Sequence, residues 1–506
     1  MYDVVVVGAG PVGLFLACEL RTAGSSVLVL ERQPELHSPW RSAPLGLRGL
    51  SAASVEAFHR RALLPALLKA SGAPQTEDAS AEQEVAPPPR SAGHFAGMVL
   101  DPSKIDVESL PFRLPSPALE GMMTSLDAVE TVLSDRAAEL GVEIRRGDAV
   151  TGLAQGEDSI VVRAGDTDYT ARWVVGCDGG RSTVRKLGGF DFIGTDPLLT
   201  GYVVLADIAD PDKIDFGFNL TPTGMYVRMP AEGHFGMMDF DAGAFDRSQP
   251  PTREHLQTVL RKVSGTDVTL NAVHLASSFT DRAMQTTTYR NGRVLLAGDA
   301  AHIHSPLGGQ GLNLGLADAL NLGWKLAATA QGTAPPDLLD TYALERHPVG
   351  AAVLEWSRAQ AAVMQPGSHA RALQTLVGDL LDTQDGATHV YRRVSGASIR
   401  YDLGRSDALV GRHAPEFRLT DGTSIGDLLP QGRGLVMNFR TDPALSEATK
   451  AWDDRLQYVE GRAKNDLGYD AVLIRPDGVV VWARSAGRES EPFETAAARW
   501  LGTPGA

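Results

Sequence analysis

At 506 residues the chain is long enough for two or three domains with full apolar cores. Its 62 Asp and Glu outnumber 47 Lys and Arg, a formal net charge of −15, so no basic excess exists to neutralise phosphates and nucleic-acid binding is not expected. Cys18 and Cys177 are the only cysteines, which leaves no disulfide framework or CxxC metal site and suits a reducing cytoplasm. The amino terminus enters a strand without a basic leader, and no apolar run reaches the roughly 18–20 residues of a membrane helix. The expectation is a soluble, cytoplasmic, non-membrane protein.

The chain opens as a βαβ unit. Asp3 to Val7 reads as a strand, Pro11 to Ala23 as a helix stopped by Gly24, and Ser26 to Leu30 as a parallel strand ending at Glu31. Between strand and helix stands Gly8-Ala9-Gly10-Pro11-Val12-Gly13. Gly8 turns the chain, Gly10 lets the backbone approach a pyrophosphate, and Gly13 permits close helix–strand packing. The helix start then offers free N–H groups and a positive dipole end to phosphates. Glu31 follows Gly13 by 18 residues, about the spacing at which an acid accepts the ribose hydroxyls of an adenosine.

Leu50 to Leu68 has helical spacing broken at Pro65, and Gln75 to Pro89 is polar, acidic and proline-rich. Ser125 to Leu140 is an amphipathic helix ended by Gly141, Val142 to Arg145 is a strand, and Ile160–Arg163 can pair with Asp168–Val175. A second motif, Gly176-Cys177-Asp178-Gly179, follows Val174-Val175. Leu198 to Phe240 alternates apolar and polar residues between Gly and Pro turns, as antiparallel sheet does. A helix over Thr252–Val263 and a strand over Asn271–Phe279 complete this layer. A third motif, Gly298-Asp299-Ala300-Ala301-His302, follows Val294-Leu295-Leu296-Ala297, and Pro306 to Asn313 leads into a helix running to about Ala330. Helices are expected from about Pro335 to Met364, interrupted at Pro348, and over His369–Leu381. Beyond residue 400 the strands Ala414–Leu419, Gly434–Phe439, Ala471–Ile474 and Val479–Trp482, with helices at Asp442–Trp452 and Glu491–Leu501, read as a separate α/β module.

Three motifs, each after a short apolar strand, point to one extended cofactor, FAD, on one domain. Asp299, near a strand end, can accept charge-assisted bonds from a sugar-alcohol chain, or cap the segment that follows. Gly308, Gly309 and Gly311 let backbone lie against a planar ring, and the helix beginning there points its positive end at the ring. Asp178 reads as a cofactor contact or an ordinary Asp-Gly turn. His302 and His304 are not joined by carboxylate or cysteine spacing that would complete a metal site, so no metal is expected.

In this order the motifs resemble the single-component FAD-dependent aromatic hydroxylases, which include para-hydroxybenzoate and phenol hydroxylases, over nearly the whole chain. Closest in pattern are the hydroxylases of aromatic polyketide antibiotic pathways. The resemblance implies a Rossmann-like FAD-binding domain over 1–180 and 280–399, with a substrate-side excursion near 75–120. It also implies an inserted mixed or antiparallel substrate sheet over 181–279 and a thioredoxin-like domain over 400–506. It assigns cofactor contacts to Gly8, Gly10, Pro11, Val12, Gly13, Glu31, Arg32, Asp178, Asp299, Pro306, Gly309, Gly311, Leu312 and Asn313. Arg41 stands where the family carries an arginine contacting FAD or nicotinamide, with Arg48 as the alternative. One departure is Thr124-Ser125-Leu126, where the family usually carries a proline–glutamine pair.

The implied reaction is monooxygenation. NADPH or NADH, visiting transiently because no second GxGxxG exists, would reduce non-covalent FAD. O₂ would be captured as a C4a-hydroperoxide and one oxygen passed to a phenolic polycyclic substrate. Phe216, Phe218, Met225, Tyr226, Met237, Met238 and Phe240 are candidates for the pocket wall, or for ordinary core. No catalytic residue is identified. The alternatives are a Baeyer–Villiger oxygenase on the same scaffold, a flavin dehydrogenase or oxidase, and a non-catalytic carrier. The expected partners are a small aromatic substrate and, in any assembly, a second copy as a homodimer; the oligomeric state stays open. Without cysteines, the last module cannot perform thiol chemistry.

Overall fold

The computed structural model describes residues 1–72, 93–485, 487 and 490–504. The polar stretch Gln75–Pro89 lies outside them.

The strand Tyr2–Val7 has its Val4, Val5 and Val6 wholly buried, because in a parallel sheet both faces are covered. It pairs in parallel with Val27–Glu31 on one side and Thr167–Gly176 on the other. Glu143–Arg146 and Val294–Leu296 continue the sheet outward, again in parallel. Val7 lies beside Gly176, and Gly176 beside Leu296. The three glycine motifs therefore leave the same carboxyl edge of adjacent strands, where open α/β sheets bind their ligands. Ile160–Ala164 joins Thr167–Gly176 as an antiparallel hairpin, as its sequence predicts. Cys177 stands one residue past the strand, and Cys18 is buried in the first helix.

Helix α1 (Pro11–Thr22) has its proline in the first turn and Gly24 at φ +86 beyond its end. Next come α2 (Ala52–His59) and α3 (Leu64–Ala70). The break between them falls before Pro65, not on it. Pro65 sits in the first turn of α3, where a missing N–H costs nothing. Helix α4 (Leu126–Glu139) starts at the cap Ser125, and α5 (Thr183–Leu187) follows the second motif.

The middle layer is a five-stranded antiparallel sheet in the order Gly217–Thr221, Gly224–Arg228, His234–Asp239, Thr200–Ile208, Leu270–Thr280. Helix α6 (Arg253–Ser264) covers one face through Leu256, Val259, Leu260 and Val263. The other face packs on residues 95–110, Leu307 and the helices that follow the third motif.

Helix α7 (Gln310–Gln331) packs across α1. Helix α8 (Asp340–Met364) runs unbroken through Pro348, contrary to the sequence expectation. Pro348 is exposed, so the forfeited helical bond lies on the solvent side, while Glu345 and Arg346 before it and Gln360 after it are anchored in the interior. Helix α9 (Ser368–Leu381) is followed by α10 (Gln384–Val394), which the sequence reading omitted.

The last module holds a four-stranded sheet ordered Leu456–Glu460, Gly434–Asn438, Ala471–Ile474, Val480–Arg484, the first pair parallel and the rest antiparallel. The Ala414–Leu419 segment is not a strand. Pro415 cannot donate to a ladder, and only isolated bridges at His413, Arg418 and Leu419 occur there, although Phe417 and Leu419 are buried. Leu456–Glu460 is a strand the sequence reading missed. Trp452, Trp482 and Trp500 share one core with Trp324 of α7 and Leu338, so the module is packed onto the first domain. Among the described residues no helix is long and apolar enough to cross a membrane.

Candidate functional site

A cleft of about 620 Å³ opens at the carboxyl edge, with Gly8, Gly10, Glu31, Arg32, Arg41 and Asp178 in its wall. Gly8 has φ +107, and a Cβ there would lie 2.5 Å from the Cys177 carbonyl oxygen. A Cβ on Gly13 would lie 1.9 Å from the Gly8 oxygen, so helix and turn meet backbone to backbone. At Gly10 a Cβ would meet nothing within 4 Å, which leaves the turn bare on its cleft side. Pro11 opens α1, and Val12 packs beneath Gly298 and Gly315, joining the first motif to the third. No side chain caps α1, whereas Ser51, Ser125, Ser182 and Thr252 cap α2, α4, α5 and α6. The first N–H groups of α1 thus remain free for an anion.

The buried Glu31 carboxylate accepts Ala9 N–H at 2.7 Å and Gln33 N–H at 2.8 Å. These bonds fix its orientation and leave lone pairs on both oxygens for hydroxyl donors. Arg32 is exposed in the wall. Arg41 lies with Nε 3.2 Å from the buried Glu130 Oε2 and donates from Nη1 to the Leu36 carbonyl. Burial pushes the Glu130 carboxyl up to about 7, against the pull of Arg41 and Arg146. Arg48 is absorbed by the carbonyls of Leu45 and Leu47 and does not line the cleft. Asp178 borders the cleft, but its carboxylate accepts Ser182 Oγ at 2.5 Å, Thr183 N–H at 2.6 Å and Val184 N–H at 3.1 Å. It organises the start of α5, a role beyond the simple turn.

Asp299 is different. It is exposed, receives no hydrogen bond from any described residue, and caps nothing. A Cβ on Gly311 would stand 3.8 Å from its Oδ1, so the free carboxylate lies over the first turn of α7. Gly308 and Gly309 occupy left-handed backbone at φ +108 and +64, which favours glycine. Gly309 begins α7 without a side-chain cap, and the Pro306 carbonyl receives its N–H at 3.0 Å. Leu312 packs on the main core. Asn313 clamps the loop: Oδ1 accepts Ser51 N–H, and Nδ2 donates to the carbonyls of Gly49 and Gly309. Free helix ends, an oriented Glu31, an unbonded Asp299 and bare glycines all fit FAD.

Sequence reasoning missed the group that holds this edge together. The fully buried Asp318 accepts Gly298 N–H at 3.0 Å and His302 Nε2 at 2.7 Å on one oxygen, and Arg346 Nε at 2.7 Å on the other. Burial alone would raise its carboxyl, but Arg346 and His302 outweigh that and lower it. The signal was present, an aspartate inside the apolar run from Leu314 to Leu320 that must face the interior. His302 is thereby a structural residue, and among the described residues no cluster of His, Cys, Asp and Glu is placed to hold a metal.

The substrate candidates divide by strand alternation. Met225 opposes Met238 and Tyr226 opposes Met237. Adjacent residues point to opposite faces, so Met225 and Met238, with the half-buried Phe218 and Phe240, lie on the face toward Leu307 of the glycine loop. Tyr226 and Met237 are corrected to the core beneath α6. Phe216 also leaves the set: it is 62% exposed at the sheet edge, beneath the Arg228 guanidinium at 3.8 Å. His94, unremarked in the sequence, packs tilted against Phe218 at a ring distance of 4.4 Å, and burial pulls it down to about 4.

The model of the FAD binding domain family matches residues 1–357, and that of the aromatic-ring hydroxylase C-terminal family matches residues 407–504. A monooxygenase of Claviceps purpurea is 43% identical over 505 residues, covering 99% of this chain and 98% of the relative. The 12-dehydrotetracycline 5-monooxygenase/anhydrotetracycline 6-monooxygenase of Streptomyces rimosus is 37% identical, covering 99% of each chain. The solved structure of the anhydrotetracycline hydroxylase OxyS from Streptomyces rimosus superposes with a TM-score of 0.85 at 35% identity, covering 99% of each chain.

Proposed function

The chain belongs to the FAD-binding aromatic-ring hydroxylases and is an FAD-dependent monooxygenase; from that premise we propose that its substrate is a phenolic polycyclic aromatic of polyketide type. Relatives named for tetracycline-type compounds support this substrate class. The apolar sheet face of Met225, Met238, Phe218 and Phe240 beside the glycine loop supports it as well.

FAD, when bound, supplies the redox chemistry, with NAD(P)H and O₂ as the co-substrates usual for this class. The chain's own groups would hold and tune it. Glu31 would accept the adenosine ribose hydroxyls, and the free start of α1 would receive the pyrophosphate. Asp299 would accept a ribityl hydroxyl. The uncapped positive end of α7 would face the edge of the ring that becomes negative on reduction. The sheet face would orient the aromatic substrate and keep water from it. Arg41, tethered to Glu130, would meet FAD or the incoming nicotinamide. The last module, a mixed sheet with flanking helices and no cysteine, is proposed to be thioredoxin-like in fold and structural in role.

The observation that carries the reading is the convergence of three distant motifs on one strand edge beside a carboxylate that bonds no described residue. The purified protein is expected to be yellow, and acid precipitation to release FAD into solution. With isotopically labelled O₂, NAD(P)H and a phenolic polyketide, label should enter the product as a new ring hydroxyl. A product without label would sink the oxygenase assignment for that substrate, and a ring-expanded ester would move it to the Baeyer–Villiger alternative.

A further inference from the structure

The sheet face that carries Met225 and Met238 continues past them. Along the strand His234–Asp239, residues 238, 236 and 234 point to one face. The register sets three rows there: Gly201, Met238 and Met225; Val203, Gly236 and Val227; Leu205 and His234. Met225 and Met238 of the first row pack with Leu307 of the glycine loop. In the second row Val203 and Val227 are only half-buried, and Gly236 between them has no side chain. On the opposite face Tyr202, Val204, Tyr226 and Met237 are sealed beneath α6. The middle row is thus a low apolar floor left partly open. The third row borders an open cleft of about 600 Å³, lined by Leu205, Phe216, Arg228, Met229 and His234 among others.

His234 is the unexplained group of this cleft. It is 7% exposed, and its Nδ1 is enclosed with no hydrogen-bond partner. No described residue bonds Nε2 either, and that nitrogen is the one left open to the cleft. Burial and the Arg48 guanidinium hold the ring below its ordinary pKa, so at pH 7 it is neutral and carries one proton. An enclosed N–H without an acceptor is rarer than an enclosed bare acceptor, which assigns the proton to Nε2. His234 therefore offers the cleft a donor. Elsewhere in the wall, Arg228 lies over Phe216 at 3.8 Å and donates from Nη1 to the Pro211 and Ile214 carbonyls. His274 pairs with Asp207 at 2.8 Å, and the exposed Glu232 carboxylate at the rim disfavours an anion. The ligand that fits is uncharged and flat, with an oxygen acceptor at its end.

We propose that a polycyclic substrate lies along this face and that His234 Nε2–H binds an oxygen of its far ring, which sets the ring presented to the flavin loop. The proposal rests on the substrate class proposed for this chain. At about 3.3 Å per residue, His234 stands about 13 Å along the strand from Met238. That is the reach of several fused rings, and a small phenol falls short of it.

The test uses the full-length, FAD-loaded protein with His234→Leu, which removes the donor, and His234→Gln, which keeps an amide N–H at the reach of Nε2. Equilibrium dialysis measures binding of 1,5-dihydroxyanthraquinone, with a hydroxyl on each outer ring, and of 1-naphthol. For the anthraquinone, His234→Leu should raise the dissociation constant about tenfold, the worth of one hydrogen bond in a desolvated site. His234→Gln should recover most of that loss, and 1-naphthol should bind all three proteins alike. An unchanged anthraquinone constant, or an equal loss for both ligands, overturns the proposal. Wild-type protein that binds 1-naphthol but not the anthraquinone overturns it too, and wild type that binds neither overturns the substrate reading with it. Should the variants fail to fold, a crystal structure of the wild-type holoenzyme with the anthraquinone decides. A ligand oxygen within hydrogen-bond distance of Nε2 is expected, and a ligand bound elsewhere overturns the assignment.

Discussion

Asp299 and Asp178 are both acids standing just past a strand end, yet the fold uses them differently. Asp178 is saturated by Ser182, Thr183 and Val184, so its removal would loosen α5. Asp299 bonds no described residue, so its removal should spare the apo-protein. Asp299→Ala is expected to weaken FAD binding on the order of tenfold to a hundredfold, the worth of one charged hydrogen bond. Titration of apo-protein with FAD measures this, and an unchanged dissociation constant would remove Asp299 from the site. Glu130 offers a pH test at the same scale. Its folded carboxyl sits near 7, above the unfolded value of 4.5, so the folded state binds more protons within that window. The stability this contributes is complete below 4.5 and lost as pH rises through about 7. Relative to wild type, Glu130→Gln should therefore melt higher at about pH 8 than at about pH 5. A difference that does not change with pH would mean Arg41 holds Glu130 ionised throughout.

At the scale of elements, what the sequence showed was whatever local chemistry writes. The glycine turn, α1, the Ser125 cap and the antiparallel middle strands follow from residues a few positions apart. Alternation in the middle sheet was legible, but which face met α6 was not. Tyr226 and Met237 were consequently grouped with Met225 and Met238, although the period of two separates them. Helix α10 was readable from Ala387, Val390, Tyr391 and Val394 at helical spacing and was passed over. Proline misled twice, at Pro65 and Pro348, because its cost depends on where in the helix it falls and on whether water can serve the orphaned carbonyl. Ion pairs between distant segments left the least trace. Asp318 ties the third motif to α7 and α8, and no local pattern names Arg346 as its partner. Asp318→Ala strands a buried guanidinium and should destabilise the protein by about 3–5 kcal/mol. Denaturant unfolding of the FAD-bound enzyme measures it. A loss within the range of an exposed pair would mean Tyr401 and the Leu314 carbonyl suffice for Arg346.

For the whole molecule, the decisive question is whether the last module can be removed. On the sequence reading, a chain ending near Asp402 should lose thermal stability or change its oligomeric state and, if soluble, still accept hydride. The structure argues against solubility. Glu345 of α8 is held by Arg475 at 2.6 and 2.8 Å and by Lys325 at 2.9 Å, and Arg475 also meets Asp477 at 2.6 Å. Arg61 joins Glu19 to the carbonyls of Leu429 and Pro476. Truncation would take Arg475 from Glu345 and the Leu429 and Pro476 carbonyls from Arg61, and would uncover Trp324 and Leu338, and the shortened chain is expected to aggregate. Arg475→Gln in the full chain poses the same question without the apolar exposure. It should cost about 3–5 kcal/mol in thermal or denaturant unfolding, as breaking a buried pair does. No described residue after 400 lines the cofactor cleft, so the folded, FAD-bound variant should still be reduced by NADPH at the wild-type rate in anaerobic stopped-flow. A stable, FAD-replete Arg475→Gln protein that NADPH reduces slowly would show that the module reaches the flavin through Glu345, Arg346 and Asp318, and that its role extends beyond packing.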